Sequence, residues 1–204
     1  MKWKSFSFLI IVLLAVLAGC NGSGIPSSGT YTFSFERDME GWVANGTDLN
    51  NPPVDWSIER SKDITSDGKT AVRLYLNNIN DAGKIWIERP FDGEPNRTYQ
   101  VHVEYDFASA DWGDMNLWTI ITGAVPESAK TELVYQQDTR NNAKPEDGFV
   151  WLRKSYDFDV GSGPEGKVYV IIGVWGTWET ARTYYIDNVS ISLSPRNDEV
   201  RNEC

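Results

Sequence analysis

From Tyr99 to Phe107 the chain alternates strictly: Val101, Val103, Tyr105 and Phe107 are interleaved with His102, Glu104 and Asp106. A period of two sends successive side chains to opposite faces, which an extended strand with one buried face requires and a helix cannot satisfy. The same pattern recurs in Ala71-Val72-Arg73-Leu74-Tyr75-Leu76 and in Lys84-Ile85-Trp86-Ile87-Glu88. The second of these predicts Ile85 and Ile87 inward, with Trp86 and Glu88 outward. Asn116–Thr122, Thr131–Gln136, Phe149–Phe158 and Lys167–Trp175 read as further strands. Turn-forming clusters such as Asn50-Asn51-Pro52-Pro53, Asp67-Gly68-Lys69 and Gly161-Ser162-Gly163-Pro164 separate them. No long stretch has helical period and no repeat is evident. The expectation is one all-β domain of about nine or ten strands, a two-sheet antiparallel β-sandwich.

The N-terminus has a different grammar. Lys2 and Lys4 precede an apolar run, Phe6 to Leu17, of signal-peptide length, ending in Leu17-Ala18-Gly19-Cys20. This resembles the lipobox of secreted lipoproteins, which implies cleavage before Cys20 and lipidation of its thiol. Residues 1–19 are then a signal peptide, 20–30 a Gly- and Ser-rich tether, 31–194 the sandwich and 195–204 a polar, disordered tail. The only other cysteine is Cys204, so a disulfide framework is excluded and the core must hold the fold.

With 19 basic and 29 acidic residues the formal net charge is −10, which makes nucleic acid and anionic lipid surfaces poor partners. Nine tryptophans and nine tyrosines suit both strands and stacking platforms. The single histidine excludes zinc sites that need several imidazoles, and any Ser-His-Asp triad without His102. Proline within Gly161-Ser162-Gly163-Pro164 argues against a phosphate loop, since it has no N–H to donate. Sequons occur at Asn21, Asn45, Asn96 and Asn188.

Five short motifs in order carry a family resemblance. They are Phe35-Glu36 followed by Gly41-Trp42, the turn Asp67-Gly68-Lys69 before the Ala71–Leu76 strand, Thr98-Tyr99 opening the next long strand, and a closing Tyr185-Ile186-Asp187-Asn188-Val189. Together they resemble the jelly-roll carbohydrate-binding modules of the galactose-binding-like group. The resemblance implies a structural calcium ion where the first and last strands meet. Glu36 and Asp187 would be carboxylate ligands, and the turn around Lys69 a source of backbone oxygens. It also implies sugar binding through aromatic stacking and polar contacts.

Three groups of residues are candidates for that binding. Trp86, Trp118 and Trp175 are expected as stacking platforms. His102, Glu104 and Asp106 stand about 6.5–7 Å apart along one strand face as hydrogen-bonding groups. Arg73 and Tyr75, on the outward face of a neighbouring strand, complete the expected groove. The stretch Glu36-Arg37-Asp38-Met39-Glu40 looks a little like the Glu-x-Asp-x-x-Glu signature of jelly-roll glucanases. Arg37 stands where those enzymes place a core residue, and the first strand is the wrong place for it.

The sequence thus predicts a monomeric, cell-surface lipoprotein that binds polysaccharide without cleaving it and carries structural calcium. One alternative is an adhesive lipoprotein with a protein partner. The other is a glycan-cleaving enzyme using Glu104 and Asp106 at inverting-type spacing.

Overall fold

The computed structural model describes residues 28–110, 118–128, 133, 136–139, 148–176 and 181–196; for 118 and 136–139 only the backbone is described. The expected signal peptide, Cys20, Trp112, Trp178 and most of the polar tail lie outside these residues.

Among the described residues, eleven strands form two antiparallel sheets: β1 (Gly29–Phe33), β2 (Val43–Thr47), β3 (Asp55–Ser61), β4 (Ala71–Asn77), β5 (Lys84–Asp92), β6 (Thr98–Ala110), β7 (Trp118–Val125), β8 (Gln136–Thr139), β9 (Phe149–Gly161), β10 (Lys167–Gly176) and β11 (Ala181–Pro195). Sheet A runs β3-β4-β11-β6-β9, with β1 paired to β11 beyond β4; sheet B runs β2-β5-β10-β7-β8. The chain is all-β, and the expected two-sheet sandwich is its architecture.

The core is made by the alternating positions. Val72, Leu74 and Leu76 of β4 and Val101, Val103, Tyr105 and Phe107 of β6 meet Ile85 and Ile87 of β5 and Val168, Val170, Ile172 and Val174 of β10, all essentially inaccessible. Each such side chain contributes about 1.5–3 kcal/mol on burial, and no cross-link is involved among the described residues.

Two strands went unread in the sequence. β2 is Val-Ala-Asn-Gly-Thr, with no apolar alternation and no buried residue. β3 carries Arg60 at a core-side position. The expected strand at Thr131–Gln136 meets the observed β8 only at Gln136.

Parity breaks once in β11. Tyr184 and Ile186 point inward, but so do Val189, Ile191 and Leu193, and pairing with β6 shifts register between Asp187 and Ser190. Asn188 adopts φ 49° there. Such a bulge re-aims side chains, and it buries the Asp187 carboxylate on the outer side of sheet A.

Candidate functional site

The expected binding residues divide between two opposite outer faces. Trp86 and Trp175 belong to β5 and β10 of sheet B, as does Trp118 of β7. His102, Glu104, Asp106, Arg73 and Tyr75 belong to β6 and β4 of sheet A. The single groove expected from sequence is therefore corrected. Strand membership in a sandwich follows from non-local pairing, and one-dimensional alternation shows inside from outside without telling the two outsides apart. β4 is also not the neighbour of β6, because β11 lies between them.

On sheet B, Trp86 faces away from the main core as expected but is fully buried in a second cluster with Ile121 and Ile171. Leu133 and Trp175 pack on that cluster. The Trp86 indole N–H donates to Glu88 Oε2 at 2.8 Å, and the Ser128 hydroxyl donates to Glu88 Oε1. The expectation of Trp86 as an open platform is thus corrected: covering chain and a buried carboxylate fix it in place. Gly173 stands opposite it on β10, where an added Cβ would lie 2.2 Å from the Ile85 carbonyl oxygen.

Trp175 is half-buried. Its indole N–H donates to the Asp81 carbonyl at 3.0 Å, and Lys84 Nζ sits 5.0 Å from the ring centroid. The side chain of Trp118 lies outside the described residues.

Sequence reasoning missed Tyr169. It shares the outer face of β10 with Trp175, about 20 Å away at six residues of strand rise. It lines a cavity of about 340 Å³ with Ser128, Glu127, Glu165, Lys167 and Pro126. The position was legible as an outward aromatic between the core residues Val168 and Val170.

The outer face of sheet A is polar and heavily paired. Arg153 of β9 lies 3.4 Å from Glu104 and 3.2 Å from Asp106. Ser66 donates to Asp106 at 2.7 Å, and the Asn188 side-chain amide does so at 3.1 Å. Arg73 pairs with Glu59 at 3.1 Å and lies 5.6 Å from the Tyr75 ring centroid. Glu104 and Asp106 are therefore bound to one guanidinium on a sheet face, not set across a cleft from each other as glycosidase carboxylates are.

Ser192, His102 and Asp157 stand directly opposite one another on β11, β6 and β9. His102 Nδ1 lies 2.7 Å from Asp157 Oδ1, and since a carboxylate only accepts, the Nδ1 proton points at it. The Ser192 hydroxyl bonds to Thr30 at 2.9 Å. The row thus has an oriented base without the nucleophile contact that a hydrolytic triad requires.

The expected calcium ligands reach one loop, between β3 and β4. Glu36 Oε1 accepts the N–H of Lys69 at 2.6 Å and of Thr70 at 3.0 Å. Asp187 Oδ2 accepts the N–H of Ser66 at 2.9 Å and of Asp67 at 3.1 Å, and Oδ1 that of Asn188 at 2.7 Å. The Lys69 bond holds the Glu36 carboxyl below its ordinary range. Burial raises that of Asp187, against the pull of its backbone donors.

Calcium takes oxygen ligands, whereas N–H groups face both carboxylates here. Among the described residues no three His, Cys, Asp or Glu side chains form a cluster fit for a metal. As arranged, these residues do not fit the ion. A cation of the chain's own stands beside Glu36. The Arg60 guanidinium donates to the carbonyls of Phe35, Glu36 and Arg37 at 2.6, 2.7 and 2.7 Å.

A scan against protein-family models finds no match, and neither does a search of curated proteins. Solved structures are similar in fold. The K1 cleaved adhesin domain of Lys-gingipain from Porphyromonas gingivalis W83 matches with TM-score 0.50 and 15% identity, over 80% of this chain and 97% of that one. This chain is a jelly-roll-like β-sandwich. The CBM22-1 xylan-binding domain of Xyn10C from Paenibacillus barcinonensis matches at 0.45 and 14%, over 82% of this chain and 95% of that one. TmCBM61, solved with β-1,4-galactotriose, matches at 0.44 and 12%, over 78% and 92%.

Proposed function

We propose that this chain is a cell-surface lipoprotein whose β-sandwich binds polysaccharide without cleaving it, on the outer face of sheet B. The observation that carries the proposal is the cavity of about 340 Å³ opening on Tyr169. Its volume lies within the range of small-ligand sites. An aromatic ring there offers a stacking surface for the apolar face of a sugar, while Ser128, Glu127, Glu165 and Lys167 supply donors and acceptors for its hydroxyls. Trp175 extends the same face toward the far end of β10, and Ser128 of the lining is held by its bond to the buried Glu88. Fixed side chains lower the ordering cost of binding.

Lipid attachment at Cys20 would add about 0.8 kcal/mol of membrane affinity per buried CH₂, holding a weak glycan binder at the surface. Metabolic labelling with a fatty-acid analogue, lost in Cys20→Ala, tests that part separately. Xylan and β-1,4-galactotriose are suitable first probes of the domain. Affinity electrophoresis of the full chain in gels containing xylan or galactan is expected to show retardation that Tyr169→Ala reduces about tenfold, the loss of one stacked ring. Equal retardation of wild type and variant would place the site elsewhere.

A further inference from the structure

One residue lining the Tyr169 cavity has the sense of its hydrogen bonding fixed from within the fold. Ser128 lines the cavity, and its hydroxyl donates to Glu88 Oε1. Glu88 is only 4% exposed. It stands on β5 opposite Ile171 of β10, one outward position along from the Pro90–Tyr169 pair. Its other oxygen, Oε2, accepts the Trp86 indole N–H at 2.8 Å, so donors hold the carboxylate on both sides. A serine hydroxyl has one proton and two lone pairs. With the proton committed to Glu88, Ser128 has only lone pairs to offer a ligand. The rest of the lining leans the same way. Pro126 and Pro164 have no N–H, and the Gly163 N–H goes to the Lys167 carbonyl at 3.3 Å. The Lys167 ammonium is bound to Asp92. Glu127 and Glu165 face water and only add acceptors.

We infer that Glu88 is a positioning residue that sets specificity: by taking the Ser128 proton, it makes the cavity select a sugar unit with a free hydroxyl over one whose hydroxyl is acetylated or methylated. This rests on the reading of the Tyr169 cavity as the glycan site. A free hydroxyl donates to the Ser128 oxygen. An ester or ether oxygen only accepts, so it sets lone pairs against lone pairs and leaves Ser128 desolvated without a donor. Glu88→Gln reverses the arrangement at constant size. The Trp86 indole can only donate, so it takes the amide oxygen, and the amide nitrogen is left to donate to Ser128. The Ser128 proton is then released for the ligand, and Ser128 becomes a donor to it.

Affinity electrophoresis of the full chain in xylan and in galactan, each unsubstituted and chemically O-acetylated, reads this selection as a ratio of dissociation constants. The wild type is expected to bind the unsubstituted form about tenfold more tightly. Glu88→Gln should bring the ratio to about one or below. Ser128→Ala, at a partly exposed position, should bring it to about one, and it decides the matter if Glu88→Gln does not fold. Tyr169→Ala should weaken both forms and keep the ratio. A purely structural role for Glu88, or simple steric exclusion of the acetyl group, would leave the ratio unchanged in the isosteric Glu88→Gln. That result, an unchanged ratio in Ser128→Ala, or no preference in the wild type would overturn this inference alone. No retardation of the wild type in any of the four gels would overturn it together with the glycan reading.

Discussion

Arg60 shows how one side chain can hold a turn together. Phe35 adopts φ 57°, a strained value for a bulky residue. It belongs to the turn whose three successive carbonyls, at Phe35, Glu36 and Arg37, converge on the Arg60 guanidinium. Glu40 Oε2 closes the turn by accepting the N–H groups of Ser34 and Phe35, each at 2.9 Å. Replacing Arg60 by Met is expected to cost about 2 kcal/mol, since three carbonyls lose a charged donor. Chemical denaturation measures this. A chelator, by contrast, should leave the melting temperature of the full chain unchanged. A fall of several degrees, restored by calcium, would contradict the fit described above.

Glu36 and Asp187 also give opposite pH dependences. The Glu36 carboxyl is lowered by the Lys69 and Thr70 N–H groups, so its contribution is present above the ordinary carboxylate range and is lost as pH falls through the lowered value. The Asp187 carboxyl is raised by burial, so its contribution is largest below the ordinary range and falls as pH rises through the raised value. Glu36→Gln should therefore flatten the acid side of a stability-versus-pH curve. Asp187→Asn sets an amide N–H₂ against backbone donors and should destabilise by about 1–3 kcal/mol at neutral pH.

At the scale of elements, β5 and β10 hold the outer face of sheet B together around Trp86. Gly173 allows β10 to pass beneath Trp86, and backbone atoms block any added Cβ. Gly173→Ala should cost about 3 kcal/mol, at the upper end for overpacking. Trp86→Ala is expected to cost about 3–5 kcal/mol, so thermal melting, and not ligand affinity alone, should register its loss. The alternation of β4, β5, β6 and β10 was plain in the sequence because each has one face in the core. β2 was not, having no buried residue, and β3 was obscured by Arg60. The bulge in β11 was legible as a slip of parity between Ile186 and Val189. The burial of Trp86 was not, because chain distant in sequence covers it.

At the scale of the molecule, the two-sheet arrangement separates what the sequence joined. Trp86 and His102 both point outward, yet they lie on opposite faces, and only the pairing of β6 with β9 and β11, and of β5 with β10, determines this. The likeness to the K1 adhesin domain is one of fold, and a fold of this kind serves many ligands. The proposed function therefore rests on the faces themselves, chiefly on the cavity at Tyr169. The most direct test is retention of the full chain on immobilised xylan and galactan, beside a variant carrying Tyr169→Ala and Trp175→Ala. Retention of the wild type, with loss in a variant that melts at nearly the same temperature, is the predicted result. No retention of the wild type on either polysaccharide, or undiminished retention of the variant, would contradict glycan binding on this face.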